Sequence, residues 1–181
     1  MRYVMASKWG LTEHFVISDG SGAPVFDVRG NLGLTQHLSI RDQSGHELAL
    51  IKKHMMTTAH EIMLGGQRAA EIHHGGFFGD HYDIDSSFGR LTAKGSFTGW
   101  DYTISHGHQP VARVSRELAF REKFLVDTAD GVNDVFILAV VLAIDAIHDE
   151  RRSDEHHGGM LGGGMLGGGG MMGGLLGGNF P

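Results

Sequence analysis

Thirteen histidines in 181 residues are the first side chains in this sequence suited to chemistry. Several fall in close sets: His73-His74, His106 with His108, and His156-His157, with His60 and His81 nearby. A His-x-His on a strand puts both rings on one face, as a metal ion requires. His73 and His74, if on a strand, point to opposite faces and cannot chelate together. His106 and His108 flank Gly107 in an expected turn. There is no His-Glu-x-x-His, no calcium loop and no cysteine. The expectation is surface histidines and no resident metal.

Carboxylates come next, because a pair of them can serve acid–base work. Asp80, Asp83, Asp85, Asp101, Asp127 and Asp130 gather around expected loops. Asp19 and Asp42 fit turns better, since an aspartate bonds its own backbone two residues on. No Gly-x-Ser-x-Gly elbow, phosphate loop or dinucleotide fingerprint occurs. The sequence therefore points away from an enzyme and away from any cofactor. With no cysteine, disulfides are impossible and a reducing compartment is compatible.

The third set is cationic. Lys52 and Lys53 close one expected strand, and Arg113, Arg116, Arg121 and Lys123 cluster beside another. Anionic lipid headgroups attract such groups by about 1 kcal/mol per cation near the surface. These six are the candidates for headgroup phosphate contacts; the plainer reading is a solvated face. The formal charge of −6 lacks the basic excess of a nucleic-acid binder, so no nucleic-acid partner is expected.

The elements that must position these groups are mostly short strands. Turn signals such as Asp19-Gly20-Ser21-Gly22, Gln43-Ser44-Gly45, Leu64-Gly65-Gly66 and His106-Gly107 separate runs of alternating character, as in His14–Ser18 and Val111–Val114. About a dozen strands fit between Tyr3 and Asp127, spaced as in sandwiches and barrels. Closure is the complete solution to the edges of such a sheet. Two internal repeats sharpen this. Phe15-x-Ile17-x-Asp19-x-Ser21-Gly22 recurs as Leu38-x-Ile40-x-Asp42-x-Ser44-Gly45. Ile62-x-x-Gly65-x-Gln67-x-x-Ala70-x-Ile72 recurs as Ile104-x-x-Gly107-x-Gln109-x-x-Ala112-x-Val114, and the same offset aligns Tyr82 with Phe124 and Asp85 with Asp127. Such registration means one hairpin design used twice, with the same inward positions.

After the strands, Val135 to Ile144 are apolar without interruption. Asn133 and Asp134 can cap a helix there. The run carries Val135, Phe136, Leu138, Val141 and Leu142 on every face, so protein must surround it. It is too short to cross a bilayer, which needs about 20 residues. Asp145 follows directly, and a carboxylate so close to a buried helix needs a partner or a route to water. The N-terminus, Met1 to Trp9, lacks the apolar segment of a secretory signal, so a cytoplasmic location is expected.

Thirteen of the 29 glycines lie between Gly158 and Gly178, interleaved with Met-Leu, Met-Met and Leu-Leu doublets. Glycine this dense cannot hold a helix or strand cheaply, so a disordered low-complexity tail is expected over 153–181, after one domain over 1–152.

Taken together, the Phe-x-Val/Ile-x-Asp-x-x-Gly turns, the repeated Ile…Gly…Gln…Ala-x-Ile/Val hairpin and the terminal apolar helix ending Ala143-Ile144-Asp145 resemble the LURP-one-related family, over roughly Arg2 to Asp149. That family belongs to the tubby C-terminal-like and phospholipid-scramblase superfamily. The resemblance implies a mainly β fold: a closed antiparallel barrel of about twelve strands around a buried C-terminal hydrophobic helix. It also implies a non-enzymatic binding or membrane-proximal scaffold module, with anionic phospholipid or a protein as partner. The competing readings are an enzyme or small-ligand carrier with a pocket at a barrel mouth, and a stress-related scaffold acting through protein partners.

Overall fold

Burial alternates along nearly every strand, and that alternation builds the fold. In Glu47–Lys53, Ala49 and Ile51 are buried while Glu47 and Lys52 are exposed; in Lys123–Thr128, Phe124, Val126 and Thr128 are buried. The computed structural model describes residues 1–6, 14–31, 37–53, 59–75, 81–116 and 123–158. In chain order its strands are β1 (Arg2–Ala6), β2 (His14–Asp19), β3 (Pro24–Asn31), β4 (His37–Arg41), β5 (Glu47–Lys53) and β6 (His60–Leu64). Then come β7 (Gln67–Gly75), β8 (His81–Ser86), β9 (Gly89–Ser96), β10 (Asp101–His106), β11 (Gln109–Arg116), β12 (Lys123–Thr128) and helix α1 (Asp134–Gly158). Each strand pairs antiparallel with the next, and β1 pairs with β12, closing a twelve-stranded barrel.

The repeats seen in the sequence are repeated geometry. Asp19 Oδ1 accepts hydrogen bonds from the Ser21 and Ala23 amides and the Ser21 hydroxyl, and Asp42 Oδ1 accepts from the Ser44 and His46 amides and the Ser44 hydroxyl. Those bonds, the serine hydroxyl's foremost, hold both carboxyls below the ordinary aspartate range. Strand pairing shifts register after Ile17, Ile40, Ile62 and Ile104, so both repeated units carry the bulge at the same place. Asp85 and Asp127, equivalent in the longer repeat, each face an arginine on the next strand: Arg90 at 2.8 Å and Arg2 at 2.7 Å.

Helix α1 fills the barrel. Phe136 to Ile144 are all at most 2 % exposed, including Leu138, Val141 and Leu142, while Val135 is partly buried against the core. Asn133 caps the helix, its side-chain oxygen accepting the Phe136 amide at 3.0 Å. Asp134 does something else. Its carboxylate accepts the Tyr3 hydroxyl at 2.9 Å and the Thr128 hydroxyl at 2.6 Å, tying the helix start to β1 and β12. The 25 residues of α1 measure about 37 Å. Apolar burial stops at Ile147, and the backbone stays helical to Gly158. The glycine-rich tail from 159 onward lies outside the described residues.

Tyr3 carries a testable consequence. Burial, then the Asp134 hydrogen bond, pushes its hydroxyl up to about 12. The unfolded chain releases that proton near pH 10, before the folded chain does. Stability is therefore intact below pH 10 and falls as pH rises toward 12, by about 1–2 kcal/mol from this partly buried hydroxyl. Melting temperature followed from pH 9 to 12 should drop less steeply in Tyr3→Phe than in wild type. Some slope should persist, because burial, helped by the Asp145 charge, also raises Tyr102 well above the tyrosine norm. Equal slopes in both proteins would remove Tyr3 as the cause.

Candidate functional site at the helix-exit end

The up-and-down order gives the barrel two unlike ends. At one, the chain reverses through short turns and α1 begins. At the other, β1, β3, β5, β7, β9 and β11 finish, β2, β4, β6, β8, β10 and β12 start, and the helix emerges. The candidate site is this second end.

Its chemistry follows from which residues close each strand. Lys52 and Lys53 are the last residues of β5, Arg116 is the last of β11, and Lys123 is the first of β12. Four of the six cations singled out from sequence thus share one rim. Arg113 sits three residues deeper on β11, with its guanidinium 3.3 Å from the Asp101 carboxylate. Arg121 lies outside the described residues. Two further cations join the rim: Lys94 near the end of β9 and Arg29 near the end of β3. Within three residues of this end, the described strands carry Arg29, Lys52, Lys53, Lys94, Arg116 and Lys123 against Glu61, Asp83 and Asp101. At the opposite end the described strands carry Arg2, Arg41, Arg68 and Arg90 against Asp19, Glu47, Asp85 and Asp127, and the turns and helix start add Asp42, Asp130 and Asp134.

Lys53 and Arg116 hold inward-facing register positions, one pleat beyond Ile51 and Val114, so they edge the mouth itself. Lys52, Lys94 and Lys123 face outward around it. Inside the same mouth, Asp145 on α1 is 2 % exposed, and its charge acts on the buried Tyr102 hydroxyl. Phe97 bridges Tyr82 and Tyr102, with ring centroids 4.7 Å from each. The helix and these rings occupy the interior that a small-ligand carrier would need open.

The histidines polarise too. The strands β2, β4, β6 and β8 each begin with one, His14, His37, His60 and His81, and His73 and His74 lie near the end of β7. His60 and His74 face inward, His60 buried and His74 edge-on to Tyr82 at 5.2 Å. His73, on the other face, lies 3.2 Å from Glu71. The His81 ring packs over Gly75 on β7, where an added Cβ would meet it at 2.0 Å. Among the described residues no group of three or more His, Asp or Glu side chains is placed to hold a metal ion. No described helix is long and apolar enough to cross a membrane.

A family profile described as LURP-one-related matches residues 1–145. The chain belongs to the LURP-one-related family. The match ends at Asp145, so it takes in every strand and the buried half of α1. The X-ray structure of a protein from Arabidopsis thaliana is similar, with a TM-score of 0.62 and 19 % identity over 81 % of this chain and 91 % of that one. At that identity the likeness speaks for the fold alone. No curated protein matches the sequence.

Proposed function

We propose that this LURP-one-related chain is a non-enzymatic, cytoplasmic binding module that lays the helix-exit end of its barrel against anionic phospholipid headgroups. The observation that supports it is the gathering of Lys52, Lys53, Lys94, Arg116 and Lys123 on one rim of a chain whose formal charge is −6. On the strand ends alone the excess is three cations, worth about 1 kcal/mol each in a salt-sensitive attachment, and the carboxylates of α1 that leave by the same end subtract from it. The acidic opposite end would turn away from the same surface and orient the molecule. A helix-filled interior favours this surface role over catalysis or ligand carriage at the mouth.

Sedimentation with phosphatidylserine/phosphatidylcholine vesicles tests it. Wild type should bind at 50 mM salt and lose most binding at 300 mM. Joint reversal of Lys52, Lys53 and Lys123 to glutamate should reduce binding at least tenfold, with the melting temperature kept within a few degrees. Binding that ignores both salt and the reversals, or no binding at low salt, would leave a protein-partner scaffold as the better account.

A further inference from the structure

The loop between β9 and β10, residues 97–100, lies at the helix-exit end and folds into the mouth. Leu91, Ala93 and Gly95 hold the inward positions of β9, and Phe97 continues that series past the strand. Its ring is 8 % exposed, held between Tyr82 and Tyr102. At the other end of the loop the Trp100 ring stacks on Phe124 of β12 at 4.2 Å and 8°. The Gly99 amide donates to the Ser96 hydroxyl at 3.2 Å, and the Trp100 amide to the Phe97 carbonyl at 3.3 Å. Among the described residues no hydrogen bond ties 97–100 to another element. Two aromatic rings are what holds the loop down.

The closed arrangement carries two costs of its own. Trp100 has φ +53°, in the left-handed region where a bulky side chain is strained. Among the described residues, glycines aside, it stands alone there. Beneath Phe97, the Tyr102 hydroxyl is buried and has no hydrogen-bond partner among the described residues. A buried hydroxyl left unpaired is costly. Both costs lapse when the loop lifts: water reaches the hydroxyl, and Trp100 leaves the strained region. Exposure of two rings to water opposes the lifting. A headgroup layer removes that opposition, because it accepts Trp and Phe side chains. Rim cations border the loop. Lys94 precedes Phe97 by three residues, and Phe124 has Arg116 opposite it in register and Lys123 before it in the chain.

We propose that this loop is an aromatic latch that opens on an anionic membrane, carrying Phe97 and Trp100 out of the mouth and into the headgroup layer. This rests on the lipid-facing role proposed above. The rim cations bring the end of the barrel to the surface. The surface then binds the open loop better than the closed one, and that difference shifts the population.

The test is tryptophan quenching by vesicles brominated near the top of the acyl chains, at 50 mM salt, with sedimentation run in parallel. Trp9 is the chain's other tryptophan, so Trp9→Phe leaves Trp100 as the single fluorophore. Vesicles containing phosphatidylserine should roughly halve its emission, and pure phosphatidylcholine vesicles should leave it unchanged. A second protein, Trp9→Phe/Phe97→Trp/Trp100→Phe, moves the fluorophore to the buried position and should be quenched to the same degree. Should that variant melt early, Phe97→Ala/Trp100→Ala keeps every rim cation and should lower partitioning on anionic vesicles about tenfold. Sedimentation with anionic vesicles while either fluorophore stays unquenched overturns the latch and leaves the lipid role standing. Partitioning that is unchanged or raised in the double alanine variant does the same. No sedimentation with anionic vesicles overturns both.

Discussion

Leu142→Asp should leave no folded barrel. Leu142 is fully buried, and the helix around it has no polar face: Val140, Val141, Ala143 and Ile144 are at most 1 % exposed. A carboxylate placed there would stand in a stretch of helix that is buried throughout, from Phe136 to Ile144. Even when it takes up a proton, a carboxyl buried there costs several kcal/mol on top of the lost leucine packing, enough to consume most of the 5–15 kcal/mol that holds a domain together. The expected result is loss of the cooperative thermal transition and of the β-type far-ultraviolet spectrum. Leu142→Ala is the control: it should cost about 2–5 kcal/mol and keep the fold. A Leu142→Asp protein that melts cooperatively within a few degrees of wild type would mean that the helix is not the core. Asp145, less than one turn further on, is tolerated because α1 has by then reached the mouth, beside Tyr102.

Gly95→Ala should be the most damaging of the small substitutions. Gly95 pairs directly with Tyr102 between β9 and β10, at φ +140°. A Cβ there would lie 2.5 Å from the Asp101 carbonyl oxygen and 2.6 Å from the Tyr102 Cα. Both are backbone atoms of a paired strand and cannot step aside as a flexible side chain would. Left-handed strain and the steric clash together should cost at least about 3 kcal/mol, measured as a shift in denaturant midpoint. Gly22→Ala separates the two terms. It also has positive φ, +87°, but no atom within 4 Å of its added carbon, so its cost should stay near 1 kcal/mol. Equal losses at the two sites would show that close approach at Gly95 contributes nothing.

Local chemistry is what the sequence made legible. Asp19 and Asp42 read as turn formers because the bonds they make span two to four residues, and they make them. The two hairpin repeats pointed to shared inward positions and to equivalent places for Asp85 and Asp127, and the matching bulges appear only in the structure. The uniform apolar run from Val135 foretold a surrounded helix. The candidate site was harder, because membership in a rim depends on strand parity along the whole chain. His14, His37 and His81 share no local motif; each merely begins an even-numbered strand. Lys94 stands alone in sequence and joins Lys52 only through the register of four intervening hairpins. Arg113 looked equivalent to Arg116, yet it sits three residues deeper on the strand and is held by the rim carboxylate of Asp101. The pairing of Asp134 with Tyr3 and Thr128 joins positions far apart in sequence, and no spacing rule announces it.

Closure of the barrel by β1 against β12 also sets a timetable. Arg2 finds Asp127, and the amino terminus bonds the Thr128 carbonyl, only once nearly the whole body has been synthesised. At about 5–20 residues per second, the first strand waits roughly 6–25 s on the ribosome for its partner. Through that interval the inner faces of the hairpins already made have no helix to cover them. The nascent chain therefore passes through a long stretch of exposed apolar sheet, and its survival depends on how well the cell shields it. Completion comes with α1, so the barrel cannot finish folding until the last of its own elements has been made.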